Sequence, residues 1–76
     1  MSETSMGRDT QFRQILRVIN KEGLRGESLT ASEIYRIVED EASVSSSHEV
    51  ATVLGYHSKE PFVNVIEGSP YEYEIY

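Results

Sequence analysis

Ser45, Ser46, Ser47 and His48 set three hydroxyls beside an imidazole, the residue types from which a nucleophile and its general base are built. No acid is placed to orient His48, and serine is the expected residue where a helix begins, so the segment predicts a cap rather than a catalytic centre. His48 and His57 are the only histidines, and a spacing of nine residues puts them on opposite sides of a helix, which excludes a shared metal within that helix. Glu39, Asp40 and Glu41 are consecutive and lack the alternating ligands and glycine of a calcium loop, so they read as a solvated acidic surface. With no cysteine there is no disulfide, thiolate zinc site or catalytic thiol. No glycine-rich phosphate loop or paired-carboxylate arrangement occurs. The expectation is a protein that works by binding, with no enzymatic activity, metal or cofactor.

Charge narrows the choice of partner. The formal net charge is −6, whereas proteins that meet nucleic acid generally carry a basic face. The distribution is polarised: Arg8, Arg13, Arg17, Lys21 and Arg25 lie in the first third of the chain, while beyond Val38 Lys59 stands alone against eight acids. Five of the seven cations are arginine, and acids outnumber bases nearly two to one, a balance that suggests a halophilic source whose hydrated acidic surface keeps it soluble in concentrated salt. No apolar run approaches the roughly 18 residues of a membrane span, and no secretory signal opens the chain, so a cytoplasmic location without membrane contact is expected.

The elements that must position these residues follow from period and caps. Residues 1–9 are polar and without apolar period, and predict a disordered tail ahead of one domain at 10–76. From a cap at Asp9 or Thr10, Phe12, Ile15, Leu16 and Ile19 recur on one helical face, and Gly23 supplies a left-handed stop, giving a first helix over 10–22. Leu29 is the best candidate for reaching the core before the next helix, as a strand of one or two residues. Thr30 with Glu33 makes a capping box ahead of Ala31, Ile34, Ile37 and Val38. After a turn over 42–47, Ser46 with Glu49 repeats the capping-box spacing ahead of Val50, Val53 and Leu54. Pro61 ends that third helix. The pattern then changes to period two: Val63 and Val65, a turn at Glu67-Gly68-Ser69-Pro70, then Tyr71, Tyr73 and Ile75 alternating with Glu72 and Glu74. The fold class is mainly α with a small antiparallel β-hairpin.

Helix, short strand, helix, turn, helix and hairpin in this order resembles the winged helix-turn-helix superfamily of small prokaryotic or archaeal transcription regulators. The resemblance rests on SLTASEIYRIV, which looks like the start of a helix-turn-helix, and on HEVATVLGYH with the hairpin from Val63 to Ile75, which look like a recognition helix and wing. It implies a DNA-binding domain, plausibly a transcription regulator, whose third helix enters the major groove of double-stranded DNA. Projecting that helix at 100° per residue turns His48, Glu49, Thr52, Tyr56 and Lys59 away from Val50, Val53 and Leu54. His48, Thr52 and Tyr56 are then the base-facing candidates, and Lys59 a phosphate candidate. Arg, Lys, Asn or Gln would be the usual readers there, and Glu49 on that face would repel phosphate. The wing presents Glu67, Glu72 and Glu74, so it is not expected to grip the backbone.

Arg13, Arg17 and Lys21 step by four along the solvent side of helix 1, with Arg8, Arg25 and Arg36 as neighbours, and complete the phosphate candidates. Such a stripe is also ordinary on a surface helix, or could dock an acidic partner, including the wing of a second copy. Tyr71 and Tyr73 are expected to pack the hairpin onto the helices. Tyr76 and Phe62 are expected on its outer side, where an aromatic pair at an open strand edge would suit a protein partner or a homodimer. A protein-protein interaction module without DNA binding is therefore the alternative function. His57 projects toward Val50 and Leu54 and reads as a structural or C-capping residue.

Overall fold

In the computed structural model, which describes residues 7–76, three helices pack on a three-stranded antiparallel sheet whose first strand lies between the first and second helices. The fold is mainly α with a small antiparallel β-hairpin wing, as the sequence predicts. The tail expected over 1–9 falls for the most part outside the described residues. The first helix, α1 (Arg8–Lys21), begins two residues before the expected start and takes Gly7 as its N-cap; neither Asp9 nor Thr10 caps it. Instead the Gly7 carbonyl accepts from the amides of Thr10 and Gln11. Gly23, at φ +70°, ends the helix in the left-handed region as its sequence position predicts.

Leu29 and Thr30 form β1 (Leu29–Thr30), which pairs antiparallel with the last strand through Leu29 and Tyr73. Thr30 then caps α2 (Ala31–Val38): its hydroxyl accepts from the Glu33 amide at 3.2 Å, and the Glu33 carboxylate accepts from the Thr30 amide at 2.8 Å. The start of α3 (Ser47–Tyr56) differs from the expected reciprocal box. The Ser46 hydroxyl accepts from the Glu49 amide, but the Glu49 carboxylate reaches one residue further back and accepts from the Ser45 amide at 2.7 Å. The hairpin strands β2 (Val63–Ile66) and β3 (Glu72–Ile75) pair in the register Val63 with Ile75 and Val65 with Tyr73, giving the order β1-β3-β2.

The core lies where the three helices meet the inner face of this sheet. Ile15 and Ile19 of α1, Ile34 and Val38 of α2, and Val50 and Leu54 of α3 are almost wholly buried, and Val63, Tyr73 and Ile75 close the layer from below. The i, i+3, i+4 spacing produces this arrangement, since each helix contributes one apolar face to a common interior. Two aromatic expectations are corrected. Tyr71 precedes β3, so the alternation does not extend to it; it is exposed and lies outside the core cluster. Phe62 lies not on the outer side but against the core, its ring 5.9 Å from that of Phe12.

Candidate nucleic-acid interface

The polar side of α3 is fixed by its buried side. With Val50, Val53 and Leu54 in the core, His48, Thr52, Gly55 and Tyr56 lie on the opposite, outward part of the helix; His48, Gly55 and Tyr56 are exposed and Thr52 is half-buried. The candidates His48, Thr52 and Tyr56 are thus brought onto one face. His48 and Thr52 also border a shallow cleft with Gly7 and Gln11 of the α1 N-terminal region. The Thr52 hydroxyl donates to the His48 carbonyl at 3.0 Å, so its proton is engaged inside the helix.

Glu49 borders the same cleft as His48 and Thr52, but its carboxylate is engaged at the helix start. Its carboxylate is half-buried and holds the Ser45 amide and, at 3.2 Å, the Ser45 hydroxyl. The main-chain hydrogen bond from Ser45 is the chief reason its carboxyl is held below the usual carboxylate range, against a smaller desolvation that raises it. The acid that the sequence set against phosphate is therefore turned back onto the helix start, where it also meets the positive end of the helix dipole. Ser45 and Ser46 are likewise engaged in this cap.

Two cations stand at the ends of the α3 face. Lys59 is exposed three residues beyond the helix and forms no ion pair with a described residue. Arg36, which the sequence placed near the helix 1 stripe, points outward from α2 and shares a cleft with Ser47, the first residue of α3. Glu33 and Glu39 border the same cleft, neither in an ion pair with Arg36. Its outward direction was available from the helical period, but its neighbour on α3 was not.

Arg13, Arg17 and Lys21 do form an exposed stripe on α1. It lies opposite Ile15 and Ile19, just as the α3 face lies opposite Val50 and Leu54. Both apolar sides enter one core, and Asp9 stands between the two helices, pairing with Arg13 and lying 3.7 Å from Nε2 of His57. Arg13 pairs with Asp9 at 3.2 Å and Lys21 with Glu41 at 2.9 Å, while Arg17 has no ion pair among the described residues. Arg25 donates from Nε to the Tyr76 carbonyl at 3.0 Å and ties the loop after α1 to the end of the sheet.

The remaining candidates serve the scaffold. His57 ends α3 as its C-cap residue; its Nδ1 lies 2.9 Å from the Val53 carbonyl and its ring stacks on Phe12 with centroids 4.0 Å apart. On the outer face of the sheet, Glu74 accepts hydrogen bonds from Ser28, Asn64 and Tyr76, which hold its carboxyl below the usual range. Tyr76 is exposed there as expected. Among the described residues, no three His, Asp or Glu side chains gather closely enough to hold a metal ion, and no helix is long and apolar enough to cross a membrane. No protein-family model matches the chain, and no curated protein or solved structure matches it significantly.

Proposed function

We propose that this protein is a DNA-binding winged-helix domain, of the kind used by small transcription regulators, and that α3 enters the major groove without help from the wing. The observation that carries the reading is the state of the α3 face. The one carboxylate on α3 from His48 to Tyr56, Glu49, is held at the helix start by Ser45, and exposed cations stand near both ends of the face. Ten residues make a helix about 15 Å long, comparable with a major groove about 12 Å wide, so Arg36 and Lys59 suit the phosphates on its two sides. His48 supplies a ring nitrogen for a base edge. The Arg13, Arg17 and Lys21 stripe is left out of this contact, and Glu67 on the hairpin turn keeps the wing off the backbone.

The reading is tested by anisotropy of a labelled duplex of mixed sequence titrated with protein across a roughly tenfold range of salt. Each neutralised phosphate contributes about −0.9 to the slope of log affinity against log salt, so two cations predict a slope of about −2. Lys59→Ala should reduce that slope by about one, and Arg17→Ala should leave it unchanged. Absence of binding even at low salt would refute the proposal.

A second reading has its own support. β2 pairs only with β3 among the described strands, and Ile66, Tyr71 and Tyr76 are exposed on the hairpin and its flanks. An open strand edge with exposed aromatics suits a protein partner or a second copy. Light scattering that gave a dimer, lost on Val65→Pro, would favour it.

A further inference from the structure

Gly55 has no internal reason to be glycine. It sits within α3 on the exposed face, and a Cβ built there would meet no side chain or distant backbone atom within 4 Å. Gly23 and Gly26 differ, because their φ values of +70° and +84° favour glycine. In an exposed helical position glycine is less favourable than alanine, and neither packing nor backbone conformation offsets that disadvantage here. What the missing Cβ leaves is a shallow, open dent on the outward face, bordered by Thr52 and Tyr56 and mainly apolar. Thr52 borders it with its hydroxyl proton already donated to the His48 carbonyl, and so offers a methyl group and an acceptor lone pair.

We infer that this dent seats the 5-methyl group of a thymine in the major groove, an inference that rests on the DNA-binding reading of the same face. The thymine methyl is the apolar group that base edges display in that groove, and methyl-to-methyl contact with a threonine is one of its established partners. A helix without a Cβ at the point of contact also lets a base edge approach its axis more closely. The charge pattern agrees: the Glu49 carboxylate is held at the start of α3 by Ser45 and does not border the dent, and Lys59 follows beyond the helix end to meet the adjoining phosphate. The consequence is a preference at one position for thymine over both cytosine and uracil, set by shape and not by a hydrogen bond.

The test compares an alternating adenine-thymine duplex with the same duplex carrying deoxyuridine for thymidine, against wild type and Gly55→Ala. Wild type should bind the thymine duplex about fourfold more tightly, the effect of burying one methyl-sized group. Gly55→Ala should melt at the same temperature as wild type or higher, since the added methyl enters open space. It should nonetheless lose affinity for the thymine duplex and match wild type on the uracil duplex, where the vacated space accepts the new methyl. Equal binding of both duplexes by wild type would overturn the inference and leave the DNA-binding reading intact. A thymine preference that survives Gly55→Ala unchanged would do the same, assigning the preference to duplex shape. Failure of wild type to bind either duplex would remove both.

Discussion

Replacing Glu49 with alanine should lower stability by about 1 kcal/mol at neutral pH, although Glu49 is a surface-helix acid and alanine is the better helix former. The magnitude follows from what the carboxylate holds. It accepts from the Ser45 amide and hydroxyl, and a net hydrogen bond contributes about 0.5–1.5 kcal/mol. Its charge in the first turn of α3 adds roughly 0.3–1 kcal/mol through the helix dipole, and the higher propensity of alanine returns a few tenths of that. Against a total of roughly 4–11 kcal/mol for a chain of 76 residues, the loss is measurable by urea unfolding, where it amounts to a midpoint shift of about 1 M. The pH dependence supplies the sign. The folded carboxyl is held below its unfolded value, so its contribution is complete above the ordinary carboxylate range and disappears as pH falls through the lower folded value. Wild type and variant should therefore differ at pH 7 and converge in acid. If they unfold together at pH 7, Glu49 is a free outward acid. The carboxylate would then be free to swing onto the outward face, where it opposes DNA, and the support that Glu49 gives the proposed function would be lost.

Thr30→Ala removes the acceptor of the Glu33 amide and half of the only reciprocal capping box among the three helices. It should lower stability by about 1 kcal/mol in the same urea assay, and an unchanged midpoint would show that the box is not what starts α2. Glu74→Gln weakens the centre of the Ser28, Asn64 and Tyr76 network. Because the Glu74 carboxyl is held below the usual range, wild type should melt higher than the variant at pH 7, and the difference should vanish as pH falls through the folded value.

The parts of the fold that were legible in the sequence are those set by local rules. Gly23, the Thr30 and Glu33 box, the two-residue strand at Leu29 and the alternation through Tyr73 and Ile75 each depend on a few neighbouring residues, and each appears where the pattern places it. His57 as a capping and packing residue was legible too, because its direction follows from the helical period. The features that were missed depend on which residue competes for a partner. Ser46 and Glu49 have the spacing of a reciprocal box, but the Ser45 amide takes the carboxylate, a choice that spacing does not encode. Tyr71 continues the period-two pattern but lies before the strand begins, and Phe62 is drawn inward by Phe12, fifty positions earlier in the chain. For the candidate interface, the outward set His48, Thr52 and Tyr56 could be read from the period alone. The position of Arg36 beside Ser47 required the packing of the helices.

The claim that α3 meets DNA is tested most directly by titrating duplex DNA into isotopically labelled protein at two salt concentrations and following the backbone amides. The account predicts shifts at His48, Thr52, Gly55 and Tyr56 that weaken at the higher salt, with Arg17 of α1 and Glu67 of the hairpin turn unmoved. Absence of shifts on α3 at both concentrations, or movement confined to the hairpin, would contradict it.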